Sequence, residues 1–188
     1  MRKLTFVLAF FASCFFANAQ ETSFKPFKVD LAFGYAIPSG SGSKGGVLFA
    51  VEPKYALNDN ITLGLRMEAA VTARAAVTED GEKVEGDVKA SGSYLVTGDY
   101  YFNTNKFRPF AGLGAGLYRL AAVSFDSDTE EGEIGVDSKF GFAPRAGFEY
   151  GHFRTALEYN FAGKTGSINN NYIGIKMGFF IGGGRLSN

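Results

Sequence analysis

Residues 140–161, FGFAPRAGFEYGHFRTALEYNF, follow one rule twice and change register only at a turn. Phe140, Phe142, Pro144, Ala146, Phe148 and Tyr150 alternate with Gly141, Ala143, Arg145, Gly147 and Glu149. After Gly151 and His152 the alternation resumes, with Phe153, Thr155, Leu157, Tyr159 and Phe161 on one side and Arg154, Ala156, Glu158 and Asn160 on the other. Successive side chains of a strand point to opposite faces, so period two across a two-residue link predicts a β-hairpin. One face is bulky and aromatic. The other mixes charges with glycine and alanine.

The same rule predicts strands over residues 27–37, 47–57, 61–75, 88–102, 107–120 and, after the opening hairpin, 172–181. The links between the eight strands alternate long and short: 39–46, 58–60, 78–87, 103–106, 121–138, 151–152 and 162–170. That alternation is expected of an up-and-down barrel with one plain and one elaborated end. In a single domain of 188 residues there is room for about eight strands of 9 to 11 residues, the length that spans a bilayer. The fold class expected is all-β, an eight-stranded antiparallel up-and-down transmembrane β-barrel. An even strand count places both termini at the plain, periplasmic end, with the long links outside the cell.

Volume decides which face points out. An eight-stranded barrel has an interior only just wide enough for side chains. The Phe, Tyr, Leu, Ile and Val face is too bulky for it, whereas the other face is relieved by Gly34, Gly64, Gly112, Gly114, Gly116, Gly141, Gly147, Gly174 and Gly178. The small and charged face is therefore expected inside. It carries Lys28, Asp30, Lys89, Asp99 and Lys139, and a lumen charge network expected to comprise Glu52, Lys54, Arg66, Glu68, Arg74, Arg108, Arg145, Glu149, Arg154, Glu158 and Lys176. Charges in a narrow, low-dielectric lumen are costly unless paired, so cross-strand ion pairs are expected to fill it, with Glu149 near Arg154. Aromatics near the strand ends would form interfacial girdles. Pro53, Pro109 and Pro144 each lack a ladder donor, which predicts a bulge or a missing bond.

Residues 1–19 read as a cleaved signal peptide: Arg2 and Lys3, an apolar run, then Ala17-Asn18-Ala19 as the cleavage site, leaving the barrel domain over 20–188. Cys14, the only cysteine, lies in that leader, so no disulfide or thiolate chemistry is expected of the mature chain. Basic and acidic residues number 19 each, and loss of Arg2 and Lys3 tips the balance to about −2. No basic footprint for nucleic acid exists.

Motifs for chemistry fail on context. Gly112-x-Gly114-x-Gly116 lies in mid-strand, whereas a dinucleotide fingerprint opens a helix. The acidic link holds Asp126, Asp128, Glu130, Glu131, Glu133 and Asp137. Its Asp126-x-Asp128-x-Glu130 spacing resembles a calcium loop, but Glu131 stands where that loop needs glycine, so it reads as a solvated extracellular loop with no metal. His152, the sole histidine, falls in a periplasmic turn, away from the outer leaflet where a lipid-modifying base would work. No catalytic residues and no cofactor are expected.

The phrases FRPFAGLGAG (107–116), GFAPRAGFEYG (141–151) and NYIGIKMGFF (171–180) resemble strands of the small bacterial outer-membrane β-barrel superfamily, the porin-like OmpA- and OmpW-type barrels. The chain departs from that family in ending on residues 182–188 instead of a terminal aromatic, with Phe179 and Phe180 the nearest candidates for an assembly signal. The resemblance implies a Gram-negative outer-membrane protein. Its expected partners are membrane lipid, lipopolysaccharide and the barrel-assembly machinery, and it would be a monomer. A structural or surface-contact role in the envelope is expected. The alternatives are a narrow conduit for small or apolar solutes and a soluble lipocalin-like binding barrel.

Overall fold

The structure, a computed structural model, describes residues 24–39, 43–77, 84–123, 135–165 and 168–186. The leader 1–19 and the link acids Asp126, Asp128, Glu130, Glu131 and Glu133 lie outside the described residues. Ten strands follow in chain order: β1 (Phe27–Pro38), β2 (Ser43–Ala56), β3 (Ile61–Val77), β4 (Val84–Tyr101), β5 (Phe107–Val123), β6 (Gly135–Tyr150), β7 (Phe153–Asn160), β8 (Lys164–Thr165), β9 (Ile168–Asn169) and β10 (Tyr172–Gly182). Eight of them close a barrel in the order β1-β10-β7-β6-β5-β4-β3-β2, every pairing antiparallel. Strands β8 and β9 form a separate small hairpin inside the link 161–171, a feature that link's polar composition did not predict.

Several strands run further than the side-chain alternation indicated. Pairing of β3 with β4 continues to Val77↔Val84, which shortens the expected link 78–87 to 78–83, and β6 begins at Gly135 instead of 139. Strands β3 to β6 have 16 to 18 residues, beyond the roughly 9 to 11 that cross a bilayer. Their surplus projects from the long-link end. Asp137, expected in the acidic loop, is instead a strand residue of β6; its carboxylate lies 3.2 Å from the Lys139 ammonium and accepts a 3.0 Å hydrogen bond from the Thr165 hydroxyl.

Two prolines leave the predicted gaps. Pairing of β2 with β3 lapses between Val51↔Met67 and Lys54↔Gly64, across Pro53, and keeps its register. Pairing of β6 with β7 stops at Arg145↔Glu158, beside Pro144, and resumes in the same register at the isolated bridge Phe142↔Phe161. Pro109 stays in the ladder opposite Phe148, its carbonyl accepting from the Phe102 amide at 3.0 Å. The register shift of the barrel falls elsewhere, between Lys44 and Val47, where Gly45 and Gly46 stand.

The faces divide as volume required. Phe33, Phe140, Leu113, Met177 and Phe179 are more than half exposed on the outer surface, whereas Arg66, Glu149, Glu158 and Asn160 are fully enclosed. Soluble monomers rarely expose apolar patches beyond a few hundred Å², and here an apolar band surrounds the whole molecule. The inner face is less uniformly small than expected. Leu48, Leu95, Tyr101, Phe110, Tyr118, Tyr172 and Phe180 are all buried in it.

Both ends of the described chain meet at the short-turn end. Phe24 bridges Arg185, the Lys25 amide donates to the Gly184 carbonyl at 2.9 Å, and the Gly183 amide donates to the Phe27 carbonyl at 2.7 Å. Gly182, Gly183 and Gly184 have φ of 78°, 58° and 77°, a run of left-handed backbone that turns the tail back across the mouth.

Candidate functional site

Enclosed by the barrel is a stack of charges. The buried charged residues are Lys28, Lys54, Arg66, Arg108, Arg145, Arg154 and Lys176 against Asp30, Glu52, Glu68, Asp99, Glu149 and Glu158, seven cations to six anions. Ten of the eleven residues expected in the network are among them. For the eleventh, Arg74, the register pairs it with Ser43 and Asp87, and its side chain lies outside the described part.

Three layers follow one another along the axis. Nearest the short turns, the Glu149 carboxylate receives the Lys28 ammonium, the Arg154 Nη1 at 2.7 Å and the Tyr101 hydroxyl at 2.6 Å. The middle layer is built round Asp99, whose carboxylate lies 2.8 Å from Lys54, 2.7 Å from Arg145 and 2.9 Å from Arg154. Arg145 also forms a two-pronged contact with Glu52, at 3.0 and 2.7 Å. Lys54 adds Asp30 at 2.8 Å. In the third layer Lys176 bridges Glu68 at 2.7 Å and Glu158 at 3.0 Å, Glu158 also meets Arg66, and Arg66 donates to Ser93 and Asn160 at 3.1 and 3.0 Å.

Above the third layer, toward the long links, the lumen turns apolar: Ala36, Leu48, Ala70, Leu95, Ala143 and Ala162 cluster with the rings of Tyr118 and Tyr172. The two tyrosines join the layers, Tyr118 donating to Asn160 at 2.8 Å and Tyr172 to Glu68 at 2.5 Å. Among the charges lies a void of about 30 Å³, edged by Asp30, Glu52, Arg145, Arg154 and Lys176, room for about one or two water molecules. Along the described lumen, salt bridges are followed by a hydrocarbon layer.

The predicted contact of Glu149 with Arg154 is present, and these residues are register partners. Most of the other pairs cross the lumen instead of joining neighbouring strands. Arg145 faces Glu158 in the ladder but stays 3.9 Å from it and reaches Glu52 on the opposite wall and Asp99 two strands away on β4. Asp99, Asp30 and Lys28, expected among the inward-facing charges, stand at the centre of the network. Tyr101, Ser93 and Thr97 were legible by parity, since residues 93, 95, 97, 99 and 101 share the inner face of β4. Lys139 lies apart, half-exposed at the long-link end, where its ammonium donates to the Lys164 carbonyl. His152 sits in the expected short turn and packs on Phe180, ring centroids 5.1 Å apart. Among the described residues, no three His, Cys, Asp or Glu side chains are placed to hold a metal ion.

Residues 6–180 match the family model described as the outer membrane protein beta-barrel domain. A search of curated proteins gave no match. Among solved structures, Neisserial surface protein A superposes with a TM-score of 0.56 at 18% identity, covering 88% of this chain and 98% of that one. The outer membrane protein OprG of Pseudomonas aeruginosa superposes with a TM-score of 0.53 at 14% identity, covering 89% and 98%. At such identities these likenesses speak for the fold. With a closed eight-stranded barrel, an apolar outer band and a family model spanning nearly the whole length, the chain belongs to the outer membrane protein beta-barrel family of the bacterial outer membrane.

Proposed function

We propose that this barrel is a closed, non-enzymatic envelope protein that anchors its projecting hairpins at the cell surface for structural or contact purposes. The observation that carries the reading is the filled lumen. Asp99 draws Lys54, Arg145 and Arg154 together across the barrel, and the Leu48, Leu95, Tyr118 and Tyr172 layer covers them. Opening a path would require separating buried ion pairs, each costing about 3 to 5 kcal/mol when one partner is left alone. Strands β3 to β6, longer than a bilayer crossing needs, project beyond it at the long-link end and supply the contact surface.

In this reading the leader 1–19 directs export, the barrel-assembly machinery inserts the chain as a monomer, and lipid and lipopolysaccharide surround the outer band. Planar-bilayer recording of the refolded barrel tests it. Silence over a range of voltages is the expected result. A reproducible unitary conductance would overturn the closed reading in favour of a narrow conduit.

A further inference from the structure

The short-turn end of the lumen opens into a cavity of about 300 Å³. Five of its sixteen lining residues are Lys or Arg, and none is Asp or Glu. Two of those cations are already engaged: Lys28 pairs with Glu149, and the Lys106 ammonium lies over the Tyr150 ring at 5.0 Å, at the rim. Lys25 and Arg185 are exposed, held opposite one another by the pairing of the two chain ends.

Arg108 differs from these. Its side chain is nine-tenths buried, and its guanidinium is clamped between the rings of Phe24 at 3.9 Å and Tyr101 at 4.1 Å. Its Nη2 donates to the Asp59 carbonyl at 2.6 Å and its Nη1 lies 3.8 Å from Glu149, but its buried Nε has no hydrogen-bond partner. The hydroxyl of Thr62, which lines the same cavity and is 4% exposed, is likewise buried without a partner. Buried polar atoms are almost always hydrogen-bonded, so two orphans on residues that line one cavity mark where a bound acceptor gains most once the wall shifts enough to reach them.

An anion meets that demand. The Arg108 N–H needs an acceptor, the Thr62 hydroxyl can donate to the same group, and the excess positive charge of the wall favours a negative one. The volume lies at the low end of small-molecule pockets and exceeds what a bare phosphate fills. Phe24 and the exposed His152 ring offer apolar walls for the remainder. We infer that the short-turn mouth binds a small organic anion, its carboxylate or phosphate on Arg108 and Thr62 and its apolar body against Phe24 and His152. This site faces the periplasm in the orientation of the family and does not depend on whether the lumen conducts.

Calorimetric titration of the mature chain, refolded in a neutral sugar detergent, tests the inference with phenyl phosphate as probe. Saturable one-to-one binding is expected, with phenol silent and inorganic phosphate weaker. Thr62→Val and Arg185→Gln should each weaken phenyl phosphate by about 3- to 10-fold, and Arg108→Gln by about 10-fold or more, as expected for loss of a hydrogen bond to a charged group. Should Arg108→Gln fail to fold, the first two variants carry the test. Binding no tighter than that of inorganic phosphate, or affinity unchanged in both Thr62→Val and Arg185→Gln, would overturn it. Repeating the titration in nanodiscs identifies the natural source. Affinity lost when phosphatidylglycerol replaces part of the phosphatidylcholine points to a lipid headgroup at the site, and affinity retained points to a soluble anion.

Discussion

Asp99 meets three cations within 3 Å, and that is possible because Gly112 lies beside it on β5. A Cβ built on Gly112 would collide with the Asp99 carboxylate and crowd the Gly98 carbonyl. Gly112→Ala is therefore expected to destabilise the barrel by about 1 to 3 kcal/mol, the usual cost of forcing an extra carbon into packed space. Urea unfolding in micelles measures it, and an unchanged midpoint would show that Asp99 has freedom the packing denies. That Gly112 and Asp99 share the inner face was legible from period two. Which cations Asp99 gathers was not, because alternation gives a side chain's face but neither its height nor its angle round the barrel. The interior tyrosines are legible by face in the same way, Tyr118 and Tyr172 standing with the polar side chains of β5 and β10 and Tyr101 following by parity on β4, but their partners are not: the hydroxyls bond Glu149, Asn160 or Glu68, and burial is acceptable once that group is satisfied.

Among the elements, β10 does most to close the barrel, pairing with β1 from Lys28↔Gly182 to Pro38↔Tyr172 and with β7 from Phe179↔Phe153 to Tyr172↔Asn160. Its continuation through Gly182, Gly183 and Gly184 uses left-handed backbone that costs other residues about 1 to 2 kcal/mol each. A Cβ on Gly183 would also press on the Lys28 side chain at 3.1 Å. Gly183→Ala should consequently free the seam, and hydrogen exchange would report faster exchange at the Lys25 and residue-183 amides with β4 and β5 unchanged. Equal protection in both proteins would contradict this account of the tail. The strand pattern, the prolines at β2 and β6 and the two-residue turn before β7 could all be read from the chain. The extensions of β3 to β6 could not, since pairing there continues past the apolar alternation, and two-residue strands such as β8 and β9 leave no periodic trace.

For the molecule as a whole, the membrane assignment rests on where the apolar side chains face. Leu113, half-exposed in mid-β5 and opposite Gly98 and Pro144 in the ladders, belongs at the middle of the lipid-facing band. Leu113→Arg should cost about 2 to 4 kcal/mol in phospholipid vesicles. A soluble barrel exposing Leu113 to water would lose almost nothing, so unfolding of this variant separates the two alternatives. The interior is the mirror case, where a charge is needed and its removal is costly. The most direct test of that claim is one set of urea titrations in micelles comparing Asp99→Ala, Glu149→Ala and Arg154→Ala with Lys44→Ala, an exposed residue of β2. The enclosed network predicts a loss of about 3 to 5 kcal/mol for each of the first three and under about 0.5 kcal/mol for Lys44→Ala. If all four variants unfold at the midpoint of the parent protein, the charges do not hold the barrel closed.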